Sequence, residues 1–154
     1  PPGATAGNAP PALPAHGGGT VALDDYARAP VLVIVVNARR LRHVQRWEES
    51  LRAELPDLQS MRIADVGQEP KPALTDVVRK LAKRVPPEVS IAIDLDNVWA
   101  DRFGLDTREP CLLLFDADRQ LVASWRGRAR GAVVDEVLSG IQALQAPTES
   151  PGDG

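Results

Sequence analysis

The segment Val31-Leu32-Val33-Ile34-Val35-Val36-Asn37-Ala38-Arg39-Arg40-Leu41-Arg42-His43 changes character at its midpoint. Its first six residues are apolar without a break. A run of that length, set off by Pro30, reads as a strand buried on both faces. Between Arg39 and Arg46 stand four arginines and one histidine, with no acidic residue among them. In open α/β folds, functional groups gather where a strand hands over to its helix. The basic cluster occupies that position.

Downstream, Val44, Trp47, Leu51 and Leu55 recur at spacings of three and four, which predicts a helix over residues 40–55 that Pro56 stops. A strand is expected over 61–66. Leu74, Val77, Val78, Leu81 and Val85 stripe a second helix that ends before Pro86-Pro87. Residues 89–95 alternate as a strand. Asp96-Asn97 can cap a short helix over 98–103 that Gly104 closes. Residues 111–115 and 120–125 are two further strands around the turn Asp116-Ala117-Asp118-Arg119. Val133, Val134, Val137, Ile141 and Leu144 stripe the last helix. Upstream, Thr20 to Leu23 is a short β-prone piece. The order is β-β-α-β-α-β-(α)-β-β-α. It predicts an α/β fold of three layers, with a central mixed sheet and helices on both faces.

The ends differ in composition. Residues 1–19 hold five Pro, five Gly and five Ala, no charged side chain and one large aliphatic, Leu13. Such a segment buries too little apolar surface to offset its ordering entropy. The expectation is a disordered arm over 1–19, a folded domain over 20–145 and a disordered tail over 146–154. An arm of this composition resembles the spacer after a removed export signal or anchor, so a periplasmic or extracytoplasmic location is expected.

Net charge is −3, which argues against nucleic acid and anionic membranes as electrostatic partners of the whole protein. No apolar run approaches the roughly 20 residues of a membrane-spanning helix. Cys111 is the single cysteine, so an intramolecular disulfide and a two-cysteine redox centre are both excluded. One cysteine with two histidines, His16 in the arm and His43, also argues against a zinc site. No glycine-rich phosphate loop or Ser/His/Asp set has usable spacing, and no cofactor is expected.

The order of elements, with a hairpin that begins just after Pro110, resembles the thioredoxin-like superfamily. The nearest branch is the redoxin group of exported thiol–disulfide reductases and peroxiredoxins (TlpA and AhpC-TSA-like). The residues that carry the resemblance are Gly19-Thr20-Val21-Ala22-Leu23-Asp24-Asp25-Tyr26, then Phe103-Gly104-Leu105, Glu109-Pro110-Cys111-Leu112-Leu113-Leu114-Phe115-Asp116, and Leu121-Val122-Ala123-Ser124-Trp125-Arg126-Gly127. The resemblance implies a cis proline at Pro110. It also places the family's C-x-x-C window on Arg40-Leu41-Arg42-His43, where no cysteine stands. Exchange chemistry needs a thiolate at a helix N-terminus, and arginine cannot supply one. The family's redox activity is therefore not expected here. The chain also resembles cysteine-free exported proteins of the YtfJ kind.

Two readings stay open at each candidate position. Arg40, Arg42 and His43 form either a basic pocket for an anion or an acidic partner segment, or a set of solvated charges. Family geometry implies that Glu109, before Pro110, faces the window and pairs with Arg40 or His43, unless it simply faces water. Arg126, Arg128 and Arg130 lie in a loop that the fold implies sits at the same end, where about six arginines would form one positive face. Cys111 is either a lone redox thiol or a small apolar residue at the start of a buried strand. The leading expectation is a redox-inactive binding or assembly module whose former active-site groove (Arg40, Arg42, His43, Glu109, Pro110, Arg128) takes a partner protein or an anionic ligand. The alternative is a single-cysteine redoxin using Cys111.

Overall fold

The computed structural model describes residues 10–67 and 70–145. Seven strands and four α-helices follow in order: β1 (Leu13–Pro14), β2 (Thr20–Val21), β3 (Val31–Asn37), α1 (Arg42–Arg52), β4 (Gln59–Asp65), α2 (Leu74–Ala82), β5 (Ile91–Asp94), α3 (Val98–Phe103), β6 (Cys111–Phe115), β7 (Leu121–Arg126) and α4 (Gly131–Gln145). The main sheet has the order β5-β4-β3-β6-β7. β3 pairs with β4 in parallel, and β4 with β5; β6 runs antiparallel to both β3 and β7. This is the mixed α/β sheet that the alternation of elements predicts.

β3 is central because all of Val31 to Val36 is apolar, and each of these residues is at most 1% exposed. Its side chains alternate between two cores. Val31, Val33 and Val35 join Met61, Ile63, Leu113 and Trp99 on the face that α3 covers. Leu32, Ile34 and Val36 join Val44, Trp47, Leu112 and Ile141 on the face that α1 and α4 cover. Each such aliphatic side chain contributes about 1.5–3 kcal/mol relative to exposure. β3 thus anchors both layers, and its carboxyl end carries the candidate site.

One expectation needs correction. Residues 10–19, expected to belong to a disordered arm, are part of the fold. β1 and β2 pair antiparallel through Leu13–Val21 and Pro14–Thr20. The His16 amide donates to the Ile91 carbonyl at 2.9 Å, and Ala15 bridges to Ala92, so the hairpin covers the outer edge of β5. Leu13 is buried in the α3-side core and His16 is 6% exposed. A covered edge strand offers no open ladder for pairing with another chain. Residues 1–9 and the expected tail 146–154 lie outside the described residues.

Candidate functional site

The chain leaves β3 through a tight turn before any helix begins. The Asn37 side chain accepts from the Arg39 amide at 2.9 Å and winds Ala38–Arg40 into a short 3-10 turn. α1 starts only at Arg42, two residues later than the apolar spacing suggests, because Asn37 holds the intervening residues in that turn. Leu41 offers no side-chain cap, and the first turn of α1 carries no acidic residue. The first turn of α1 therefore carries arginines in place of the negative charge that its dipole favours.

Within the window Arg40-Leu41-Arg42-His43 the side chains part company. Arg40 and Arg42 are exposed, and His43 is only 5% exposed. The His43 Nε2 is buried and has no hydrogen-bond partner among the described residues. Burial, followed by the charges of Arg42, Arg128, Arg40 and Arg46, lowers its pKa from the ordinary 6.5. Arg40 lies in the 3-10 turn and Arg42 and Arg46 on α1, whereas Arg128 comes from the loop after β7. The combined positive charge of these arginines, which holds the imidazole neutral, favours a ligand that brings negative charge.

The loop after β7 is fixed by Gly127. Its amide donates to the Pro110 carbonyl at 2.9 Å, and its carbonyl accepts from Trp47 Nε1 at 2.9 Å. Its φ of +137° is a conformation that side-chain-bearing residues rarely adopt. Gly127 thus ties the segment around Pro110 to the middle of α1 and leaves Arg128 beside His43. Arg126, one residue earlier, faces elsewhere.

The expected contact of Glu109 with Arg40 or His43 is replaced by another. Glu109 Oε2 lies 3.8 Å from Arg126 Nε, and Arg126 also stands 3.9 Å from Asp106. Asp106 is in turn held by Arg108 through bonds of 2.6–3.1 Å, which pull its carboxyl well below the usual carboxylate range. Antiparallel pairing sets Arg126 directly across from Cys111, so a residue flanking Cys111 reaches Arg126 before it reaches α1. The arginines of the loop therefore divide. Arg126 belongs to the acidic patch of Asp106 and Glu109, and Arg128 belongs to the His43 cluster.

Cys111 is 2% exposed, and its Sγ lies 3.3 Å from the Asp106 carbonyl and 3.5 Å from the Glu109 carbonyl. Burial pushes its pKa up to about 11, against the opposing charge of Arg126. A thiol so held is protonated at neutral pH and lacks the thiolate that redox chemistry uses. It packs as a small apolar side chain in the core with Phe115 and Leu113.

The sequence reading missed a polar row beside the window. Asn37, Asp65 and Asp94 end β3, β4 and β5 in register. Asp65, 3% exposed, accepts from the Asn97 side chain and from Thr107 Oγ1 at 2.8 Å. Asp94, 0% exposed, accepts from the Val98 and Trp99 amides, each at 2.9 Å, and so starts α3. Burial raises the Asp94 pKa, with these amide bonds opposing it and the charge of Asp65 reinforcing it. The available signal was a carboxylate at the carboxyl end of each of two neighbouring parallel strands. Among the described residues, no three His, Cys, Asp or Glu side chains gather to hold a metal ion.

No protein-family model matches the chain, and no curated protein matches it in sequence. Solved structures match it in shape. The exposed lipoprotein thioredoxin Etrx1 of Streptococcus pneumoniae aligns with a TM-score of 0.66 at 16% identity, over 85% of this chain and 98% of that one. The chain has a thioredoxin-like fold. A secreted Mycobacterium tuberculosis disulfide oxidoreductase aligns with a TM-score of 0.57 at 14% identity, over 86% of this chain and 95% of that one. Peroxiredoxin Q of Xanthomonas campestris aligns at 0.58 and 15% identity, over 86% and 90%. At 14–16% identity these likenesses speak to the fold. No helix among the described residues is long and apolar enough to cross a membrane.

Proposed function

We propose that this chain is a redox-inactive thioredoxin-like module that binds an acidic segment of a partner protein, or a smaller anionic ligand, at the start of α1. The mouth consists of Arg40, Arg42, His43 and Arg128; of the other expected residues, Pro110 is buried and Glu109 faces Arg126. The observation that carries the reading is the gathering of Arg40, Arg42, Arg46 and Arg128 around a buried, unpartnered His43. Guanidinium groups recognise carboxylates with paired, charge-assisted hydrogen bonds. The positive end of the α1 dipole adds to the same attraction. An extended acidic segment would lie along the mouth and be excluded from the far side by Asp106 and Glu109. The redox alternative at Cys111 is disfavoured by a buried thiol with a raised pKa. Two of the shape neighbours are described as an exposed lipoprotein and a secreted enzyme, and an extracytoplasmic location belongs to this reading.

The test is titration of a fluorescein-labelled, glutamate-rich peptide into the wild-type protein and into the variants Arg40→Glu/Arg42→Glu and Arg128→Glu. Binding should weaken by at least tenfold in each variant and fall steeply with added salt. Equal affinity in the wild type and both variants would remove the mouth as the binding surface.

A further inference from the structure

β3, β4 and β5 are parallel, so α1 and α2 each run back along the sheet after the strand they follow. Their last turns arrive together near the amino ends of the strands. Between them one sheet face carries a groove of about 340 Å³. That volume sits at the low end of the roughly 300–1,000 Å³ typical of small-molecule sites. Val44, Glu48 and Arg52 of α1 form one wall at a spacing of four, Val85 forms the other, and Val89 and Ile91 line the β5 side.

The charges in this groove are unequal in their commitments. Arg62 interrupts the apolar face of β4, between Ile34 and Ile91 in register. Its Nε lies 2.8 Å from Glu48 Oε2, and Ser60 Oγ donates to the same oxygen at 2.7 Å. The only acid lining the groove among the described residues is therefore already engaged by a cation and a hydroxyl. Arg52 and Arg84 stand at the rim at the end where α1 and α2 terminate, and neither side chain has an ion pair or hydrogen bond among the described residues. The groove thus combines apolar walls with two uncommitted guanidinium groups at one end.

We propose that this groove is a second ligand site, for a small carboxylate with an apolar body. The body lies against Val44, Val85, Val89 and Ile91, and the carboxylate sits between Arg52 and Arg84. The groove runs along α1 from Leu41, beside the arginine mouth, to Arg52, and its carboxylate-binding end is the one far from the mouth. The carboxylate gains charge-assisted hydrogen bonds, and the body removes apolar surface from water.

Calorimetric titration of the whole chain tests this with sodium octanoate as the probe. Octanoate should bind one equivalent, whereas acetate, with the charge alone, and octylammonium, with the chain and the opposite charge, should not. Arg52→Glu/Arg84→Glu should weaken octanoate by at least tenfold. Both positions are exposed, and a circular dichroism melt matching the wild type shows that the fold is kept. Val89→Trp, which fills the groove and leaves the arginines in place, should abolish binding. Arg40→Glu/Arg42→Glu should leave octanoate affinity unchanged, which separates this site from the mouth. The proposal is overturned by octylammonium binding as tightly as octanoate, by unchanged affinity in the Arg52/Arg84 variant, or by no heat from octanoate up to millimolar concentration.

Discussion

Trp47 Nε1 donates a 2.9 Å hydrogen bond to the Gly127 carbonyl, across a sequence separation of 80 residues. Trp47 itself is fully buried. The bond fastens the basic loop after β7 to the centre of α1, and the Gly127 amide extends the link to Pro110. Through it, the charge of Arg128 is kept close enough to His43 to lower its pKa.

Trp47→Phe should therefore act on the loop as well as on the core. It leaves the Gly127 carbonyl without its donor and opens space beside Val44 and Leu51. The expected loss is about 1–3 kcal/mol, since an abandoned buried acceptor costs its desolvation. Urea unfolding measures that loss. Hydrogen exchange at the Gly127 and Arg130 amides, both hydrogen-bonded, should quicken by more than the global loss explains. Unchanged exchange there would show that the bond does not hold the loop.

His43 should give stability a pH dependence of known sign. Its folded pKa lies below the unfolded 6.5, so the unfolded chain binds the proton more tightly. Its contribution is full above about pH 6.5, falls as pH drops from there to the folded value, and is constant below it. His43→Gln should flatten this part of the stability–pH curve. Arg128→Ala removes one repelling charge and should raise the His43 pKa in an NMR titration. A pKa that stays put in Arg128→Ala would mean that the loop is not adjacent.

Cys111 should be unreactive while the protein is folded. With a pKa of about 11, only a small fraction is thiolate at pH 8. Labelling by iodoacetamide should be roughly a hundredfold slower than for a free thiol with a pKa near 8.5. In denaturant the two rates should converge. Native labelling at the free-thiol rate would restore Cys111 as a redox candidate.

Gly140 lies inside α4, where alanine would ordinarily be the better helix former by about 1 kcal/mol. Here a Cβ would stand 2.6 Å from Trp125 Cζ2. Displacing that ring should cost about 1–3 kcal/mol, as overpacking does, and outweigh the helical gain. Gly140→Ala should lower the melting temperature, with a change in Trp125 fluorescence. A higher melting temperature would mean that the ring moves freely.

Much of the architecture is legible in the sequence because hydrophobic periodicity is local. Residues 98–103 and 111–115 read as a helix and a strand with the bounds observed. Thr20–Val21 falls in the β-prone piece expected at residues 20–23, but its partner strand at residues 13–14 was not legible. Leu13 is a lone aliphatic among Pro, Gly and Ala, and it gains a partner only once β5 and the α3-side core exist. The start of α1 was misjudged because Asn37, outside the apolar stripe, diverts the next three residues. Asp65 and Asp94 went unnoticed because a carboxylate at a strand end looks like an ordinary polar boundary. Only the register shows that they neighbour each other beside Asn37.

The sequence by itself determined the order of elements, the buried central strand and the absence of cysteine from residues 40–43. These depend on residue identity and short-range spacing. Tertiary structure decided which charges meet: Arg128 with His43, Arg126 with Glu109, and Glu48 with Arg62. It also decided that His43, and not Arg40, turns inward. Side-chain partners across a sheet follow from strand register and helix direction, and a run of arginines gives no local signal of which one will face a neighbour.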